Sequence, residues 1–430
     1  MRQGEDVKSR SGAIVLLVGL TIAACGNPLP PPTPTTSPTL AGTSPISTAS
    51  PTSTSSTIGG TWIGLRWEAP TLGAPYESIS DVVAWRDGYV AVGQSQNVSL
   101  TPLGTQATAW FSTDWHTWSR TLLGVPDAGD SAPSRVLSIG SSLVAIGTSG
   151  VPHCTPPEGE GQVCDPLPVA LWTSADGRAW QRAPTAAALA GVSPADVAAA
   201  PGGLVLVGDT GWNRPGIWTS ADGVAWRRES LPLDVFTNAH FAGIVAARGG
   251  WVLTGFTGGL KPGCCGGFSP KGATPAAWFS SDGTDWRAAS VDGALQASGD
   301  WIGRVFVGRD GLVAWGGRDA SYGWTSPDGR HWSALPKPAG YPVIPYASDG
   351  QRIVGESYID RDQLGLWVST DGASWQPLTA TGATDQMPAW SASSGATADA
   401  LFLFPTALGL VGQNGTERFS FWLAQAVTGP

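Results

Sequence analysis

Six aspartates stand in one recurring context. Asp114, Asp176, Asp222, Asp282, Asp328 and Asp371 each sit in a copy of W-x-S-x-D-G-x-x-W, from "AWFSTDWHTWSR" at Ala109 to "LWVSTDGASWQP" at Leu366. A carboxylate repeated at fixed spacing is what a cation site would need. One Asp per copy, however, falls far short of the 6–8 oxygens that calcium takes. The spacing fits a turn instead. In Ser326-Pro327-Asp328-Gly329, Pro suits position i+1 of a type I turn and Gly position i+3. The Ser and Asp side chains are placed to bond the turn's own backbone. The six aspartates therefore read as structural, in a three-residue hairpin whose bulge sets Trp324 opposite Trp332, Trp172 opposite Trp180 and Trp218 opposite Trp226.

Cysteine is the other residue type that could do chemistry. Cys154 and Cys164 lie in "VPHCTPPEGEGQVCDPLP", and Cys264 and Cys265 in "GGLKPGCCGGFSPKG". In an exported chain four cysteines read as two disulfides, with Cys154–Cys164 preferred and the three possible pairings left open. A soft-metal site with His153 is the sharper reading, but the spacing matches no zinc signature. No metal and no cofactor are expected.

The elements that position these residues come from a second repeat. Seven segments, among them "VVAWRDGYVAVG" at Val82, "VAAAPGGLVLVG" at Val197 and "LFLFPTALGLVG" at Leu401, are two short β-prone runs around a turn. Each of the first six is followed by a loop and then by a W-x-S-x-D-G-x-x-W copy. One unit is four strands, at the spacing of propeller blades. The seventh unit ends in "SFWLAQA" at Ser420–Ala426 with no D-G-x-x-W behind it. Its missing outer strand is "LRWEAP" at Leu65–Pro70, so the N-terminal strand closes the last blade and no sheet edge stays open. The expected fold is all-β: a seven-bladed propeller of four-stranded antiparallel blades.

Composition agrees. In 430 residues only 13% are charged, whereas Gly (58), Pro (35) and Trp (22) are abundant. A net charge of −9 with no basic run past the N-terminus argues against nucleic acid as partner.

The first residues read as a targeting segment. Arg2, Lys8 and Arg10 precede "AIVLLVGLTIAA" at Ala13–Ala24, too short an apolar run for a membrane span and right for a signal peptide. "IAAC" at Ile22–Cys25 resembles the bacterial lipobox. The resemblance implies cleavage before Cys25 and its diacylation, hence a lipid-anchored chain on the extracytoplasmic face of the cell membrane. Gly26–Thr57, with eight prolines and no charged or aromatic residue, cannot bury a core and reads as a tether. At about 3.1 Å per residue it reaches up to roughly 90 Å. The expected divisions are a signal peptide at 1–24, a tether at 25–58 and a propeller at 59–430.

The repeats resemble the Asp-box (BNR) family of sialidase-like propellers, whose pattern is Ser-x-Asp-x-Gly-x-Thr-Trp. In this chain Gly follows Asp directly, and blade 1 has Trp115 where the other copies have Gly. The resemblance places the Asp turns on the face opposite the ligand funnel. It also implies what a sialidase-like hydrolase would need: arginines for a substrate carboxylate, a Tyr–Glu nucleophile pair and an acid. The candidates are Arg135 and Arg304 at inner-strand starts, Glu356 with Tyr358, and Asp81 or Asp300. None lies in a recognisable family motif, and Arg86 of "AWRDGY" lies in a turn.

A non-catalytic binding or scaffolding module for carbohydrate or protein asks for less. Variable loops on a rigid scaffold are where binding usually lives. Trp212, Arg214, Trp301, Tyr322 and Tyr358 fall there and could stack on sugars or anchor a protein. The reading is a monomeric, lipid-anchored binding propeller, with the hydrolase as alternative.

Overall fold

Seven four-stranded antiparallel blades follow one another along the chain, the last completed by a strand from the N-terminal side. The computed structural model describes residues 62–428 except 68–70, 76, 98–103, 124–129, 151–153, 156–162, 165–166, 201, 211–213, 248, 259, 263–267, 271–272, 293–300, 317–321, 336–341, 359–363, 382–395, 405–406 and 415–417. The expected signal peptide at 1–24, Cys25, the expected tether, His153, Trp212, Cys264, Cys265 and Asp300 lie outside the described residues. The innermost strands of blades 1 to 7 are Glu77–Trp85, Asp130–Ile139, Val192–Ala200, Ala239–Ala247, Ile302–Val307, Ile344–Ser348 and Ala396–Leu403. Second strands are apolar on both faces, as strands clamped between neighbouring blades must be. In blade 3, Leu204 and Leu206 join the core toward blade 2, whereas Val205 and Val207 join the core toward blade 4.

The ring closes as expected. Trp62–Trp67 pairs antiparallel with Arg418–Thr428, Leu65 opposite Ala426, and Leu65 is fully buried. The N-terminal strand is itself covered. Thr379–Thr381, leaving blade 6, pairs with it in parallel, and Ser290–Asp292 covers the outer strand of blade 5 likewise. These fifth strands remove two edges that a four-stranded blade leaves open. Two loops also carry small hairpins. Cys154–Thr155 pairs with Val163–Cys164 in blade 2, and Leu260–Pro262 with Phe268–Pro270 in blade 4.

The Ser-x-Asp-Gly turns form as read, with one correction of register. Ser326 Oγ accepts the Gly329 N–H at 2.8 Å, and Asp328 Oδ1 accepts those of Arg330 (2.8 Å) and His331 (3.0 Å). Trp324 does not face Trp332. Its partner is Ala334, as Arg182 is for Trp172 and Arg228 for Trp218. The turn is longer than a three-residue hairpin because the Asp side chain caps two further amides, and the closing Trp332 stands in the outgoing strand His331–Ala334 without pairing with Trp324. The Trp332 indole N–H donates to the Gly329 carbonyl at 3.1 Å. The leading Trp reaches outward: Trp172 donates to Leu123 O, Trp218 to Ala188 O and Trp278 to Val235 O. Each ties its blade to the connection arriving from the previous one.

Candidate functional site

All seven innermost strands shift register at the same place. The shifts lie between Ile79 and Asp81, Pro133 and Arg135, Pro194 and Asp196, Phe241 and Gly243, Ile302 and Val305, Pro345 and Ala347, and Ala398 and Ala400. A β-bulge turns the strand and re-aims the residues beside it. The positions at the end of the bulge make one ring around the axis: Asp81, Arg135, Asp196, Gly243, Ala347 and Ala400 where the register resumes, and Arg304 just before it does at Val305. Asp81, Arg135, Asp196, Arg304 and Tyr346 line an axial cavity of about 580 Å³.

The two carboxylates of the ring are committed to backbone. Asp81 Oδ1 accepts the Val82 N–H at 3.0 Å, and its Oδ2 the Val136 N–H of the next blade at 2.9 Å. Asp196 repeats this with Val197 (2.9 Å) and with Ile244 of blade 4 (3.1 Å). Each Asp thus staples one inner strand to the next. Burial pushes the Asp81 carboxyl up, against the pull of Arg135 and the two amides. Arg135 Nη2 lies 3.0 Å from Asp196 Oδ1, and that carboxylate raises the guanidinium above its ordinary value.

Arg304 differs. Burial, and then repulsion from Arg135, hold its guanidinium below the usual value, with Asp196 and Asp81 attracting it only through space. Among the described residues it makes no hydrogen bond. An arginine in a cavity with no bonded counter-ion presents an undercompensated cation to whatever enters.

The sequence-expected residues are only partly brought together. Arg135 and Arg304 do share one cavity, at bulges within the inner strands rather than at strand starts. Glu356 is paired, but with a different tyrosine: the Tyr346 hydroxyl hydrogen-bonds its carboxylate, which burial pushes up. Tyr346 is the bulged residue of blade 6, a position that spacing along the chain does not reveal. The side chains of Tyr358 and Tyr322 lie outside the described residues. Arg214 is exposed after the second strand of blade 3, its carbonyl accepting the Thr210 N–H at 2.8 Å, and Trp301 is half-buried at the start of blade 5. A second cavity, of about 780 Å³, opens on the Asp-turn face between blades 3 and 4, beside Thr219, Trp251 and Thr284. There the Phe–Arg stacks that close two other seams, Arg178 on Phe111 and Arg330 on Phe279, have no counterpart among the described residues.

No protein-family model matches the chain, and neither does any curated protein. Among solved structures it is similar to YCF48 bound to D1 peptide (17% identity, 84% of this chain and 97% of that one, TM-score 0.48). It is similar to the β-propeller domain of the Trilobed protease from Pyrococcus furiosus, described as having an open velcro topology (8% identity, 83% and 96%, TM-score 0.47). A glycosyl hydrolase from Bacteroides ovatus follows at 10% identity, 62% and 84% coverage and TM-score 0.32. None of these likenesses bears on activity.

Proposed function

We propose that the protein is an exported, acyl-anchored propeller acting as a non-catalytic binding or scaffolding module, its carbohydrate or protein ligand received at the loop face over the axial cavity. One observation carries the reading. The cavity offers an Arg304 guanidinium with no bonded partner among the described residues, while the oxygens of both ring carboxylates already accept backbone amides. That is equipment for holding an anionic or polar group, and poor equipment for passing a proton.

The direction of the strands supports the anchor's place. Trp62–Trp67 takes the fourth-strand position of blade 7, and fourth strands start on the Asp-turn face. A tether from a diacylated Cys25 then enters on that face and leaves the loops free. The register of Cys154 opposite Cys164 favours a disulfide there. Radiolabelled palmitate should enter the wild type and not Cys25→Ser.

The test is a thermal-shift screen of the purified protein against saccharides and carboxylate-bearing peptides, repeated with Arg304→Ala. A ligand at 100 times its Kd adds about 2.7 kcal/mol. A shift that Arg304→Ala abolishes supports the reading, and a shift indifferent to Arg304 overturns its location. The Tyr346–Glu356 hydrogen bond favours the alternative, a sialidase-like hydrolase, in one respect. Turnover of a fluorogenic sialoside that is lost in both Y346F and E356Q would establish it.

A further inference from the structure

Two blades carry a carboxylate at the same place in the fold. Asp209 of blade 3 follows Gly208, which pairs with Pro194 at the edge of the inner-strand bulge; Glu356 of blade 6 follows Gly355, which pairs with Pro345 at the edge of its own. By strand alternation Asp209 points to the side of Val207, toward blade 4, and Glu356 to the side of Val354, toward blade 7. The two sites differ in the bulged residue. In blade 6 it is Tyr346, whose hydroxyl bonds Glu356. In blade 3 it is Ala195. Asp209 Oδ1 is buried and, among the described residues, has no hydrogen-bond partner.

A buried carboxylate oxygen without a donor is costly, and the cost disappears when a donor arrives. Ala195 and Tyr346 both line the axial cavity. With a methyl group in the place of a phenol, blade 3 keeps the acceptor and lacks the hydroxyl that blade 6 supplies from within the chain. Burial also lifts the Asp209 carboxyl to about 6, as expected where nothing compensates its charge.

We infer that Asp209 is a ligand-binding residue that accepts a hydrogen bond from a saccharide hydroxyl, in the place that the Tyr346 phenol takes at Glu356. The inference rests on the axial cavity being the ligand site. A saccharide is the class that fits, because the missing group is a hydroxyl and carbohydrate supplies hydroxyls at high density.

The experiment uses a glycan array of neutral and carboxylated oligosaccharides with the purified protein, followed by titration of the best glycan. Wild type, Asp209→Ala, Ala195→Tyr and Arg304→Ala are compared. Asp209→Ala should weaken binding at least tenfold while its Tm stays at or above the wild-type value. Ala195→Tyr should abolish binding and raise the Tm by supplying the phenol from within the chain. Should Ala195→Tyr misfold, Asp209→Ala and Asp209→Asn carry the test. Equal glycan affinity in Asp209→Ala overturns the inference, and so does an array on which the wild type binds nothing or a ligand that proves to be a peptide indifferent to Asp209. Loss of binding in Arg304→Ala but not in Asp209→Ala would leave the cavity as the ligand site and remove Asp209 from it.

Discussion

Trp115 fills a hole that Gly409 makes. In five other turns the glycine after the Asp abuts a valine on the second strand of the preceding blade. A Cβ on Gly177 would lie 2.5 Å from Val90, one on Gly223 2.5 Å from Val144, and one on Gly372 2.3 Å from Val313. Blade 1 reverses the sizes. Its turn carries Trp115 at φ 65°, and the strand of blade 7 behind it has Gly409 where the others have valine. A Cβ on Gly409 would meet the indole at 2.4 Å. The ring stands edge-on to Tyr89, Trp118 and Phe404 at 5.1, 5.2 and 5.3 Å, and its N–H donates to the Trp422 carbonyl. The swap lies at the closing seam. Trp115→Gly should cost about 2–4 kcal/mol, a cavity term reduced by relief of the left-handed conformation. Gly409→Val should cost about 1–3 kcal/mol by overpacking. The double variant restores the arrangement of the other seams, so its loss should fall short of the sum by at least about 1 kcal/mol. Denaturant midpoints of the four proteins check this, and strict additivity would refute the reciprocal fit.

The turn aspartates predict the acid limb of stability. Backbone N–H groups of Asp285 and Thr284 hold the Asp282 carboxyl down at about 2. At Asp328 burial pulls the other way, and the Arg330 amide with His331 outweighs it, again to about 2. A folded value below the unfolded one means stabilisation that is complete above pH 4 and is lost as pH falls toward 2. The Tm should therefore drop over that interval. A double Asp282→Asn, Asp328→Asn variant should have a lower Tm at pH 7 and a shallower acid drop. An unchanged acid drop would show that these turns do not carry it.

The blades were legible because each repeats two local signals, an inner hairpin and a capped turn, and both are set by residues close in sequence. Even the closing strand could be read, since "LRWEAP" keeps the outer-strand pattern. What depended on through-space register was not legible. Trp324 faces Ala334 because the Asp328 side chain lengthens the turn, which no count of residues between the tryptophans reveals. Glu356 meets Tyr346 rather than Tyr358 because a bulge carries Tyr346 to the cavity. Arg135 and Arg304 could be proposed from the sequence, but that Arg135 bonds Asp196 while Arg304 bonds none of the described residues follows from the order of charges round the ring, Asp81, Arg135, Asp196, then Gly243 before Arg304.

Asp81 should behave as an inter-blade staple. Asp81→Ala leaves the Val82 and Val136 amides without their acceptors, at about 1–3 kcal/mol for each one buried. Asp81→Asn keeps one acceptor oxygen and should cost roughly half as much. The discriminating measurement is amide hydrogen exchange. Val136 should lose protection in both variants while the amides of blade 6 keep theirs. Unchanged protection at Val136 would remove the staple role.

Asp209 predicts the opposite pH dependence from the turn acids. Its folded value, raised to about 6 by burial, lies above the unfolded one of 3.8. The charged form is thus disfavoured by folding. The penalty is absent below about pH 4, grows as pH rises and is complete above pH 6. At about 1.4 kcal/mol per pKa unit it amounts to roughly 2–3 kcal/mol. Asp209→Asn should be more stable than wild type by about that amount at pH 7.5 and equal to it near pH 4, where the turn aspartates are only beginning to protonate. A stability difference that stays flat from pH 4 to 7.5 would show that a donor already satisfies the carboxylate. A saccharide that binds there should narrow the gap at pH 7.5 in proportion to its occupancy, because its donor compensates a charge that the asparagine does not carry.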